Sequence, residues 1–366
     1  MKRSMGLEML PALHGDALLL GWHDGRRQRQ LLIDGGPIGA YDALKTRIDA
    51  LPGPERRLEL VVLSHVDTDH VDGLVRWFAE PTPWPVRVGE VWFNGWAHLL
   101  EAGAPERLSG KQGEYFSALI ERRLPPEAWN RAFDGHAVRV PASGPLPEVH
   151  LPGGLRLTLL SPTDEGLVAL HTAWRRDLKG EIVPGDFDSA WAALATQSRY
   201  LPETGRLGGG AQRSAAARLD AAPANGSSIA LLAECGTRSA LLLADAHAPV
   251  VCASIRRLLL SRGQSRLKVD AMKVAHHGSR GNTTDELMAL VDCPRYLVST
   301  NGDQFHHPDD EALERIVASA QSQRVQLCFN YLSEANRAWA DPARQQRLGY
   351  DAVFPAPGAE GLVVHW

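Results

Sequence analysis

Four potential metal ligands, His65, Asp67, Asp69 and His70, fall within six residues of the segment Ser64–Gly73, SHVDTDHVDG. Neighbouring carboxylates raise each other's pKa and destabilise a fold unless a positive charge intervenes. A solvated acidic loop capping a helix would explain one aspartate, since the helix dipole favours an acid at its N-terminus. It leaves the two histidines beside it unexplained. Three further sites carry similar chemistry. Asp245 closes an apolar run, where a carboxylate is costly unless it is solvated, ligating something or capping a helix. His276-His277 ends another apolar run and is followed by Gly278, which lets the backbone turn tightly. His307 precedes Pro308 and the acidic run Asp309-Asp310-Glu311, so a helix N-terminus disfavours its cationic form. A neutral imidazole there could ligate, accept a proton from water, or simply cap the helix.

The elements that must position these groups are legible as apolar runs. Leu58–Leu63 reads as a short buried strand, and Leu74–Phe78 has helical spacing. The first ligand group therefore sits on a strand-to-helix connection, where side chains two apart point the same way. Residues 6–34 suggest a pair of strands joined by a polar turn at Asp24-Gly25. A helix over Tyr41–Leu51 stops at Pro52-Gly53-Pro54, and Gly89–Gly95 suggests another strand. Leu108–Leu124 suits a helix, and residues 136–162 return to short strands, HAVRVP and LRLTLLSPTD. SSIALLAECGTRSALLLADA reads as two strands about a turn, followed by a helix over Val250–Ser261. Thr283 and Glu286 form a capping-box pair for the helix after His277. RYLVST and VQLCFNY complete the strands.

Several of these elements resemble the metallo-β-lactamase-fold hydrolases. SHVDTDH is similar to their HxHxDH signature with Asp67 in place of the second histidine, the form found in the ComEC-like subgroup. His14-Gly15-Asp16-Ala17, Asp34-Gly35-Gly36, Asn225–Ser228, AMKVAHHGS and NGDQFHHP resemble further elements of that subgroup, in its order. The resemblance implies an α/β fold, a four-layer αββα sandwich, over residues 1–366 as a single domain. Residues 164–222, where periodicity fades, would be an insertion. It implies metal ligation by His65, Asp67, Asp69, His70, Asp245 and His276, with His277 and His307 in reserve and Asp245 as a bridge. Asp34 would support the metal loop from behind.

On this reading the cofactor is a pair of divalent ions, Zn or Mn with Mg a third candidate, since Asp67 makes the site more oxygen-rich. Such a pair can clamp a phosphoryl group and generate a hydroxide at neutral pH, with Asp69 and His307 as the catalytic residues. Three carboxylates against two dications leave a net positive inner shell. The implied function is a phosphodiesterase or nuclease acting on an anionic substrate, nucleic acid or nucleotide. A hydrolase of small esters, lactones or thioesters is the alternative, as is a metal-binding regulatory module without turnover. One departure stands out. Relatives carry a further ligand histidine before the bridging aspartate, yet His98, His136, His150 and His171 match no motif.

Composition narrows the classes. The 366 residues are 44% hydrophobic with a formal charge of −4, so nothing pulls the chain globally toward nucleic acid. The clusters Arg26-Arg27-Arg29 and Arg262/Arg266/Lys268 read as solvated faces. The start reads as neither signal peptide nor membrane span, because Glu8 and Pro11 interrupt it. Four scattered cysteines suggest reduced core thiols and a cytoplasmic location, with no membrane partner. Trp77, Trp84, Trp92, Trp96 and Trp129 cluster in one region, which favours packing over a platform for stacking bases.

Overall fold

A computed structural model describes residues 4–23, 25, 27–51, 56–81, 83–102, 111–177, 182–200, 220–320 and 324–366. Asp24, Arg26, the breaker Pro52-Gly53-Pro54, the start of the helix expected from Leu108 and residues 201–219 of the expected insertion lie outside them.

One sheet contains β1 (Ser4–Met9), β2 (Leu18–His23), β3 (Gln28–Ile33), β4 (Leu60–Val62), β5 (Val91–Trp92) and a strand from the other end of the chain, Leu362–His365. Its order places Leu362–His365 beside β1, then β2, β3, β4 and β5. The second sheet holds β6 (Glu148–Leu151), β7 (Leu155–Ser161), β8 (Ala230–Cys235), β9 (Arg238–Leu242), β10 (Ala271–Lys273), β11 (Arg295–Val298), β12 (Val325–Phe329) and β13 (Tyr350–Val353). Its order runs β13-β12-β11-β10-β9-β8-β7-β6. Leu362–His365 is β14.

The period-two alternation of strand side chains divides the apolar residues between two faces. From β2, Leu18, Leu20 and Trp22 join a core shared with Leu231 of β8, Leu242 of β9 and Leu297 of β11, so the two sheets pack face to face. Leu19, Leu32 and Val61 point the other way. They meet α1 (Tyr41–Asp49), α2 (Thr68–Phe78) and α4 (Lys111–Arg123) through Leu44, Leu74 and Phe116. On the far side, Leu232, Leu241 and Met272 meet Val251 and Ile255 of α8 (Ala248–Arg262), Leu287 of α9 (Asp285–Leu290) and Leu313 of α10 (Asp310–Ser319). The architecture is the expected four-layer αββα sandwich. Helices α3 (Trp96–Glu101), α5 (Asp164–Asp177), α6 (Phe187–Leu194), α7 (Pro223–Gly226) and α11 (Pro342–Leu348) complete it. None of the described helices is long and apolar enough to cross a membrane. All four cysteines are buried.

Local departures have simple causes. The opening apolar run splits into β1 and β2, because Pro11 breaks it and the Leu10 amide donates to the Ala17 carbonyl across a turn. HAVRVP forms no strand; Val138 is instead held by Asn94, whose side chain pairs with both its amide and its carbonyl. The cap of α9 is Thr284, not Thr283, and its hydroxyl accepts from the Leu287 amide.

Candidate metal centre

Strands β4, β9 and β10 deliver the candidate ligands from their carboxyl ends, and β3, parallel to β4, delivers the supporting Asp34. His65 follows β4, and Asp67 stands at the N-cap of α2. Asp69 and His70 lie in the first turn of that helix. Asp245 follows β9, and His276-His277 follows β10. Backbone is pressed close behind α2. A Cβ on Gly73 would meet the Gly35 carbonyl at 2.0 Å, and the Gly35 amide donates to the His70 carbonyl at 2.8 Å. Only glycines allow that approach. Asp34, Ala244, His276 and His277 all carry positive φ, between 46° and 61°. Each such conformation costs about 1–3 kcal/mol and persists where surrounding structure over-determines it.

Asp245 is the hub. Its Oδ2 lies 3.8 Å from His65 Nε2, 3.5 Å from His70 Nε2 and 3.7 Å from His276 Nε2, while Oδ1 lies 3.8 Å from His277 Nε2. Asp69 Oδ2 sits 3.7 Å from His70 Nε2 and 3.6 Å from His277 Nε2, and Asp67 Oδ2 lies 3.6 Å from His65 Nε2. These separations are too long for hydrogen bonds. An ion with bonds of about 2.0–2.1 Å sets adjacent tetrahedral ligands about 3.3 Å apart, close to what is found. His65 Nε2, His70 Nε2, His277 Nε2 and Asp245 Oδ1 are buried without a hydrogen-bond partner among the described residues. The donor set therefore fits divalent cations. All six expected ligands converge here, and His277 joins them.

The opposite nitrogens are all engaged. Asp34 accepts the Ser64 amide at 2.7 Å, the Ser64 hydroxyl at 2.7 Å and His70 Nδ1 at 2.8 Å. With its proton on Asp34, Ser64 Oγ accepts from His65 Nδ1 at 2.9 Å. His277 Nδ1 donates to the Ser299 carbonyl at 2.8 Å, and His276 Nδ1 to Asn282 Oδ1 at 3.1 Å. Asn282 is oriented by its own amide, which donates to the Asp245 and Ala246 carbonyls. All four imidazoles thereby have Nδ1 committed and turn Nε2 toward Asp245.

The electrostatics match. Burial opposes a charge on His70, yet Asp245, Asp69 and Asp34 raise its pKa well above the ordinary value. Asp245 and Asp220 likewise outweigh burial at His276 and push it up to about 9. Burial alone would raise Asp245, but His276, His70 and His277 hold it well below the carboxylate range. The cluster demands positive charge.

Asp220 has no precedent in the sequence reading. It stands just before α7, with Oδ2 3.4 Å from His276 Nδ1, and accepts from Asn282 at 3.0 Å and Asn225 at 2.8 Å. Its alanine-rich surroundings carry no periodic signal; only its spacing from Asn225 could have hinted at it. His307 stands beside the cluster, its ring 5.4 Å from that of His276 and Nδ1 3.5 Å from Asp309 Oδ1. Burial lowers its pKa. The interval histidines lie elsewhere: His98 bonds to Gly95, His171 stacks on Trp96, His136 faces Glu101 and His150 is exposed on β6.

No protein-family model matches the chain, and no curated protein does. Solved structures do. The metallo-beta-lactamase fold protein YhfI from Bacillus subtilis is 11% identical with a TM-score of 0.44, covering 100% of both chains. Zn(2+)-bound PqqB from Methylobacterium extorquens is 13% identical with a TM-score of 0.40, over 98% of this chain and 99% of that one. A diphosphatase from the PhnP family is 12% identical with a TM-score of 0.34, over 98% and 97%.

Proposed function

We propose that this protein is a metal-dependent hydrolase of phosphodiesters, built around two divalent cations. The observation that carries the reading is the set of four imidazoles whose Nδ1 atoms are committed and whose Nε2 atoms converge on Asp245. Such outer hydrogen bonds fix the ring and raise ligand basicity. His65, Asp67 and His276 would hold one ion, and Asp69, His70 and His277 the other, with Asp245 shared. His276 thus takes the place of the absent interval histidine. When bound, the ions polarise a phosphoryl oxygen and acidify water.

The chain's own groups supply the rest. Asp34 and Ser64 keep His70 and His65 in register, and Asn282 and Asp220 do the same for His276. Three carboxylates against two dications favour an anionic substrate over a neutral amide. His307, half-buried and with its pKa lowered, stands beside His276 as a neutral imidazole able to take or return a proton.

Purified protein loaded with Mn²⁺ should cleave bis-p-nitrophenyl phosphate, and Asp69→Ala or His70→Ala should abolish cleavage. Turnover of lactones or thioesters alone would replace the phosphodiester reading with an ester-hydrolase one. Full metal occupancy without any turnover would point to a regulatory module.

A further inference from the structure

The tryptophans of the first half differ sharply in their surroundings. Trp77 and Trp84 stack on each other, with ring centroids 5.6 Å apart, and Trp92 is fully buried with its Nε1 donating to Glu90. Trp96 and Trp129 are only partly buried and, with Phe187, wall a cleft of about 260 Å³. That is just below the about 300–1,000 Å³ typical of sites for drug-sized ligands, so it suits a single ring system.

Among the described residues, the wall of the cleft includes no Asp, Glu, Lys or Arg. The titratable wall group among the described residues is His98, pushed below its ordinary pKa by burial. Its Nδ1 accepts the Gly95 amide at 3.1 Å, leaving Nε2–H to donate to the Gly135 carbonyl at 3.2 Å. One polar atom is uncommitted. Ser117 is 1% exposed, lines the cleft, and its hydroxyl has no hydrogen-bond partner among the described residues. A buried hydroxyl left unpaired is costly, and a ligand with a polar edge would satisfy it. Aromatic walls plus one hydrogen-bonding group describe a receptor for a flat heterocycle.

The strand leading to the cleft lies beside the strand leading to the metal loop. Trp92 of β5 pairs in parallel with Val62 of β4, so the two strands end on the same edge, about 4.8 Å apart. His65 lies three residues beyond one end and Trp96 four beyond the other.

We infer that this cleft binds a planar heteroaromatic ring of the nucleobase kind, and that the phosphodiester hydrolysed at the metal centre carries such a ring. The second clause rests on the phosphodiesterase reading; the first does not.

Calorimetric titration of chelator-treated protein with adenosine and with uridine tests the cleft without metal or phosphate. Binding should be seen with both. Trp96→Leu and Phe187→Leu should each weaken it about tenfold, as loss of a stacking partner does, and Ser117→Ala severalfold, while Trp84→Leu leaves it unchanged. Thermal melts establish that each variant is folded; should Trp96→Leu unfold, Phe187→Leu carries the test. Absence of nucleoside binding, undiminished binding in both ring variants, or binding of choline in place of nucleosides would overturn the assignment. Metal affinity of Phe187→Leu, measured by chelator competition, should equal that of the parent. A parent that binds nucleosides but fails to cleave phosphodiesters keeps the cleft and loses the phosphodiesterase.

Discussion

Asp34 Oδ2 accepts His70 Nδ1 at 2.8 Å, and the same carboxylate holds the Ser64 amide and hydroxyl. One side chain therefore orients a ligand in α2 and the loop leading to it. Asp34→Asn is the informative substitution, because asparagine tolerates the φ of 61° found there. The amide oxygen can accept at most two of these bonds, so not all three survive. Divalent-metal affinity should fall about 10–100-fold, read by competition with a chromogenic chelator. Unchanged affinity would remove Asp34 from any supporting role.

Asp220 makes a sharper case: beside Asn225, Asn282 and His247, the candidate ligand it approaches is His276. Asp220→Ala should weaken one metal position about tenfold and leave the other intact. Stepwise Co²⁺ titration followed by absorption separates the two. Equal weakening of both positions would make Asp220 a general folding residue rather than a positioning one.

Lys273 and Asp16 form an ion pair at 2.7 Å in which both side chains are fully buried. Removing one partner strands a charge in the interior. Lys273→Met should cost about 3–5 kcal/mol in urea unfolding, and Asp16→Asn added to it should recover part of the loss. A double variant no better than the single would show that packing of the lysine stem dominates.

His98 gives a pH signature away from the metal ligands. Burial lowers its pKa below 6.5, so the unfolded chain takes up the proton first as pH falls. Stability from the neutral ring is full above 6.5 and declines as pH drops toward the lowered folded value. His98→Gln should reduce stability at neutral pH yet flatten that slope, as thermal melts between pH 7 and 5 would show. A slope unaltered by the substitution would assign it to other groups.

Much of this arrangement is visible in the residue order, for identifiable reasons. The run Leu58–Leu63 before SHVDTDH carries its own boundary, so β4, the loop and α2 follow from local pattern. Asp34-Gly35-Gly36 is readable because tight approach of backbone to backbone demands glycine, and Gly73 meets it from α2. The hairpin of β8 and β9 is similarly local. What eludes the sequence is set by tertiary contact. The histidine pair could not be apportioned, because left-handed backbone at both His276 and His277 turns both rings toward Asp245. Asp220 reaches His276 from a stretch without periodicity. Trp96 and Trp129 look like their buried neighbours until the surrounding helices leave them half open.

The candidate ligands come from two places: residues 65–70 hang from the first sheet, and Asp245, His276 and His277 from the second. Ions gripped by both would act as rivets across the sandwich, tying the halves together as well as serving chemistry. Ligation would then add to global stability by mass action, about 2.7 kcal/mol at a hundredfold excess over Kd. Chelation should accordingly loosen the seam between the sheets before it disturbs either helical face.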